Sequence, residues 1–373
     1  MVGVNSDSAN PDEWPRAARF GLGEGGLCLE AQPNSSTIKL CAGGNRIVGQ
    51  FTITEYRQPF FWFDQVGLSV VGFDFVRHHS QVDGFYPPEW RLLCPASGWL
   101  GNDTRQGFSQ AANAALDKGE MQTWDLCDRI STQIEICELR LKTLWEAYSH
   151  CLRSTADEAR IESPPIISNG WERRVVIETH SVLHETSTLR DYLSEFFARH
   201  ILNFNSPIKQ ASDLIKLLKS EKDLLPAAEK FEFWSSIKDG GLFSCKEFGN
   251  YRDFITHISP LSSNLSSFGI KPTLLRIGHV NIPIARLHMP NNIRELQKRF
   301  SNKLLPQNKK ALYDEIAETW GRTSNDDYDC LRYSTFITRR LLNDASVLLG
   351  ESGLEQTMIH LTEADLAGPI EFL

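Results

Sequence analysis

The sequence predicts an α+β protein, a small antiparallel β domain followed by an α-helical bundle with a C-terminal helical extension. Three observations carry this. Before about residue 112, short β-branched and aromatic segments alternate with turn residues. After about 115, glycine and proline thin out and apolar residues recur at spacings of three and four. The helical segments are joined by short connections, as in a bundle.

The reading divides the chain into a loose arm (1–20), a β-rich domain (21–112), a helical bundle (115–262) and short extended segments plus a helical extension (263–373). The arm is rich in Asn, Ser, Asp and Pro. Strands are expected at 26–31 (GLCLEA), 36–41 (STIKLC), 46–55 (RIVGQFTITE) and 67–76 (GLSVVGFDFV), with turn chemistry in AQPNSS and AGGN between them. GLGEGG supplies Gly21, Gly23 and Gly26 in a literal G-x-G-x-x-G. A dinucleotide fingerprint needs a strand before it and a helix after it. Apolar alternation follows instead, so the segment reads as a flexible lead-in to a strand.

The stretch 121–152 has no Gly or Pro, and Ile130, Ile134, Cys137, Leu141, Leu144, Tyr148 and Cys151 mark one face of a long amphipathic helix. Residues 156–171 (ADEARIESPPIISNGW) read as a linker. Further helices are expected at 186–204, at 206–220 with Ser206 and Pro207 as cap and first turn, at 226–239, and at 247–259. Beyond them, 273–289 reads as two extended segments, then helices at 291–319 (broken near Pro306) and 325–349.

The formal net charge of -8 argues against a general nucleic-acid coat protein, so any nucleic-acid contact has to use a local basic patch. The eight cysteines include no C-x-x-C pair and read as reduced core residues of a cytoplasmic protein. No secretory leader and no membrane-spanning run is expected.

The segment most suggestive of chemistry is YRDFITHISP, Tyr251 to Pro260. As a helix, it puts Phe248, Tyr251, Ile255 and Ile258 on a buried stripe, with Asp253 and His257 one turn apart on the opposite face. Arg252 lies about 140° around from His257, at the stripe's edge. Pro260 ends the helix, so His257 falls in the last turn, where the helix dipole favours the imidazolium. A histidine suits removal of a 2′-hydroxyl proton, and an arginine suits the charge that develops on phosphorane oxygens. One such pair, splayed apart, is half a site; a second copy across a two-fold axis would supply the rest.

Arg252-Asp253-x-x-x-His257 resembles the R-polar-x-x-x-H motif of the HEPN superfamily, a bundle of about four helices with the motif late in the bundle. The resemblance covers roughly residues 120–260. It implies Arg252 and His257 as catalytic residues, Asp253 as their polar helper, and RNA as substrate. It also implies a metal-independent endoribonuclease of toxin or antiviral (abortive-infection) type, without cofactor, acting as a homodimer. The β domain would then sense or bind a protein or ligand partner. The different expectation is a non-catalytic protein that uses the same bundle for dimerisation.

Other candidates are weaker. His180 and His184 have metal-ligand spacing, but Ser181 stands where a peptidase pattern needs Glu. SNDDYD (324–329) lacks the glycine of a calcium loop, and Ser324 with Asp327 reads as a helix cap. Arg294, Lys298, Arg299 and Lys303, continued by Lys309 and Lys310, form the densest basic surface and the expected RNA contact. Tyr56 and QPFFWFD (58–64) bring aromatics together, either as core or as a stacking surface.

Overall fold

A computed structural model describes residues 17–44, 46–79, 84–85, 89–94, 98–99, 102–156, 170–204, 207–238, 244–245, 249–251, 255, 270–277, 279–287, 289, 308, 310–311, 314 and 329–357. The architecture is α+β, as expected. An eight-stranded antiparallel sheet comprises β1 (Ala17–Gly23), β2 (Leu27–Ala31), β3 (Thr37–Ala42), β4 (Arg46–Thr52), β5 (Val70–His79), β6 (Gly84–Phe85), β7 (Glu89–Cys94) and β8 (Gly98–Trp99). The order is β4-β3-β2-β1-β5-β7-β8, with β6 beside β5. Three expected strands fall on β2 to β4, and the fourth on β5.

The G-x-G-x-x-G segment is not a loose lead-in. Gly21 and Gly23 belong to β1, a central strand that pairs with both β2 and β5. A tight turn at Glu24–Gly26 then leads directly into β2, so no helix follows the glycines. β1 escaped the sequence reading because its alternation includes an arginine. Arg19 is buried, lies 4.0 Å over the Tyr56 ring and donates to the Tyr56 carbonyl. α1 (Gln58–Gln65) lays the aromatic run against this face of the sheet, with Phe60 edge-on to Phe73 at 4.9 Å. Most of those aromatics are core, and Phe61 stays exposed.

The bundle is built from α2 (Asn102–Asp117), α3 (Met121–Thr155), α4 (Gly170–Phe196) and α8 (Cys330–Glu351), which contact one another. α3 matches its expected span, and its whole apolar stripe is buried. α4 begins sixteen residues before the expected 186. Val175, Val176, Thr179, Val182 and Thr186 bury its first half, yet β-branched residues are poor helix signals. Thr179 and Thr186 also turn their hydroxyls back to Val175 O (2.8 Å) and Val182 O (2.6 Å), which hides polar groups inside the bundle. The helix closes in a π turn (Phe197–Ile201) and Asn203 at φ 54, a left-handed stop.

Three further boundaries differ. Pro207 does not start a helix, and Ser206 lies outside the described residues: α5 runs Ala211–Ser220, and Asp191 of α4 accepts the Ala211 N–H at 3.0 Å in place of a local cap. The helix expected at 226–239 is two short ones, α6 (Leu225–Ala228) and α7 (Glu232–Ile237). The helix expected from 247 starts no earlier than Tyr251, because β10 (Gly249–Asn250), a poor helix-forming pair, bridges back to β9 (Ser244–Cys245). The extended segments form the hairpin β11 (Lys271–Ile277) and β12 (Val280–Arg286).

Sheet and bundle share one continuous apolar core. Two turns at the same end of the sheet rest on the C-terminal half of α3. At Gly26 (φ +83) an added Cβ would lie 2.7 Å from the Tyr148 carbonyl, and at Gly43 (φ +59) 2.3 Å from the Arg153 backbone. Only glycine permits both approaches. Trp145 Nε1 donates to Gly23 O at 3.0 Å, and Lys142 Nζ to Asp74 at 2.8 Å. No helix among the described residues is long and apolar enough to cross a membrane.

Candidate functional site

Arg252, Asp253 and His257 lie outside the described residues, as do Arg294, Lys298, Arg299, Lys303, Ser324 and Asp327. Two members of the expected buried stripe are described. Tyr251 is fully buried, with its ring edge-on to Tyr333 of α8 at 5.1 Å. Ile255, one turn on, packs against the core. Tyr251, the residue before Arg252, is therefore seated on a helix of the bundle. On α8, Phe336 lies one turn beyond Tyr333 and is 59% exposed.

The N-terminus of α8 is organised by Asp329, from the acidic run that reads as a cap in the sequence. The capping residue is Asp329 itself, whose Oδ1 accepts from Leu331 N and Arg332 N, both at 3.1 Å. Its Oδ2 accepts from Tyr148 Oη of α3 at 2.9 Å and from Leu287 N at 3.0 Å. Burial pushes this carboxyl up to about 6, against the lowering effect of its backbone donors. Beside it, Glu24 accepts from Ser69 N (3.1 Å) and pairs with Arg286 (3.4 Å). This buried polar knot joins sheet, hairpin, α3 and α8 at the end of the bundle where Tyr251 docks.

His180 and His184 sit on α4. Burial, then the charge of His184, pull the His180 imidazole down to about 4. Among the described residues no three His, Cys, Asp or Glu side chains come together as a metal site. Between α7 and α8 is a cavity of about 490 Å³, walled by Phe233 and Leu348 and edged by Asp344 and Glu351. Arg340 spans its rim, 2.6 Å from Glu232 and 3.4 Å from Asp344.

One surface cluster went unseen in the sequence. His150, near the end of α3, stacks flat on Trp171, at the start of α4, with centroids 4.3 Å apart and planes 12° apart. Arg153 and Arg174, each one turn from a ring of the pair, make no ion pair or side-chain hydrogen bond among the described residues. No pattern in the sequence joins these residues, because a helix end and a helix start meet only when α3 and α4 pack antiparallel.

Comparison of the chain with protein-family models, with curated proteins and with solved structures returned no match. Functional inference therefore rests on the residues themselves.

Proposed function

We propose that this protein is a HEPN-type endoribonuclease of the toxin or antiviral-effector kind, cleaving RNA at a composite site formed by two copies of the chain. The observation that carries the reading is the seating of Tyr251 against Tyr333: the residue next to Arg252 is buried on a helix of a four-helix bundle. That is where the R-polar-x-x-x-H motif belongs if it is functional. The exposed Phe336 beside it supports a second copy docking on this face.

In this reading His257 removes the proton from a ribose 2′-hydroxyl. The 2′-oxygen attacks the adjacent phosphorus, and the phosphorus–O5′ bond breaks. The histidine of the second copy protonates the departing 5′-oxygen. The products are a 2′,3′-cyclic phosphate and a 5′-hydroxyl end, so no water or cofactor is consumed. Arg252 holds the non-bridging oxygens as their charge grows. Asp253, one turn from His257, orients the imidazole.

The test is cleavage of single-stranded RNA, and growth arrest on expression, by wild type, Arg252→Ala and His257→Ala. Each substitution is expected to lower cleavage at least about 100-fold, in the range for loss of a general acid–base group. Folding and oligomeric state should be unchanged. Variants that cut RNA like wild type would overturn the assignment. A dimer in which wild type also fails to cut would favour the non-catalytic interaction protein.

A further inference from the structure

We infer that the stacked pair His150–Trp171, with Arg153 and Arg174, is a platform that holds single-stranded RNA, one base on the aromatic pair and neighbouring phosphates on the guanidiniums. The inference rests on the nuclease reading for its substrate and adds a binding site for it.

The aromatic pair is unusual in its place. Most of the aromatic rings among the described residues are buried in the core, whereas His150 is exposed and Trp171 is 37% exposed. Two flat rings stacked within 12° present a rigid planar surface at the edge of the bundle. Every nucleobase has a face that fits such a surface, whatever its sequence.

The arginines are unusual as well. The chain has more acids than bases, and elsewhere on the bundle Arg105, Arg129, Arg140 and Arg199 each meet a carboxylate. Arg153 is one turn after His150 on α3, and Arg174 one turn after Trp171 on α4, so each lies on the same helix face as its ring. Helical side chains tilt towards the N-terminus of their own helix, so Arg153 leans back towards His150 and Arg174 towards Trp171, and the two reach the stack from different helices. That placement suits a strand with one base seated and neighbouring phosphates on the guanidiniums. Arg153 is held in place, because its backbone packs on Gly43 of the sheet. Among the described residues the acidic neighbours are Glu146, one turn before His150, and Glu172, which is buried.

The platform is also at the right end of the molecule. Tyr148, two residues before His150, reaches Asp329 at the head of α8, and Tyr251 docks one turn further along that helix. The stack and Tyr251, the residue before Arg252, thus occupy the same end of the bundle.

The test uses the full chain carrying His257→Ala, to separate binding from cleavage, and a fluorescein-labelled unstructured 12-mer RNA read by anisotropy. Trp171→Ala and the double change Arg153→Glu/Arg174→Glu are each expected to weaken binding about 10-fold or more, and Trp171→Phe to restore most of it. The double change should also flatten the dependence of log K on log salt by about 1.4, the value for two phosphate contacts on a single strand. Parent-like binding by both variants would overturn the platform and leave the nuclease reading untouched. A parent that binds no RNA would also overturn it, and cleavage assays would judge the nuclease reading separately. Weakened binding alongside full cleavage by Arg252→Ala and His257→Ala would keep the platform and remove the nuclease assignment.

Discussion

Tyr148 and Asp329, 181 positions apart, share a buried hydrogen bond of 2.9 Å that fixes the head of α8 to the middle of the core. The same hydroxyl accepts from Leu331 N at 3.2 Å, so one phenol serves both the capping carboxylate and the first turn that it caps. Tyr148→Phe is expected to lower stability by about 2 kcal/mol, the scale of a buried bond to a charged group. Asp329→Ala should cost more, about 3 kcal/mol, since the cap and the bond from Leu287 go with it. Urea midpoints at unchanged m-value check both.

Glu138 of α3 is buried, and loss of solvent pushes its carboxyl up to about 8, partly opposed by Arg105 and reinforced by Glu135. A folded-state value above the unfolded one means the native state binds the extra proton. Stability from this group therefore falls as pH rises from about 4.5 through 8. Glu138→Gln keeps the shape without the titration. Between pH 7 and 9 the wild type should lose about 1 kcal/mol relative to this variant, measured by parallel denaturation curves.

Gly43 and Gly44 are adjacent, both at positive φ, and only one faces an obstacle. An added Cβ at Gly44 meets nothing within 4 Å, whereas at Gly43 it meets the Arg153 backbone at 2.3 Å. Gly44→Ala should show only backbone strain, about 1 kcal/mol. Gly43→Ala should cost clearly more, because the β3–β4 turn has to lift off α3. Thermal melting of the two variants side by side separates strain from clash.

Phe336 offers a check on assembly that leaves the motif alone. It is 59% exposed and one turn from Tyr333, so Phe336→Asp removes little packing among the described residues. In the two-copy reading it should shift the protein to monomer in sedimentation and reduce RNA cleavage, with melting temperature retained.

What the sequence disclosed follows from how local each signal is. β2 and α3 were legible because their burial follows the period of their own backbone, and β3 and β4 because short β-branched runs stand between turn residues. β1 was not, since Arg19 and two glycines break its pattern and its neighbours come from both sides. The first half of α4 was masked by its valines and threonines, which only the surrounding bundle makes helical. The polar knot and the His150–Trp171 stack were invisible, because each is made by segments that meet only after folding. Of the proposed site, Tyr251 took the buried place its spacing implied, and Ile255 packs partly buried against the core.

The docking of the sheet on α3 through Gly23, Gly26 and Gly43 carries a genetic consequence. A cassette spanning the strands could not be transplanted onto another bundle, or exchanged for a foreign sheet, without exposing oily surface on both fragments. Recombination that swaps such front ends would have to carry the latter half of α3 along with them. Chimaeras joined near residue 100 should accordingly be insoluble, while junctions beyond Thr155 spare the seam.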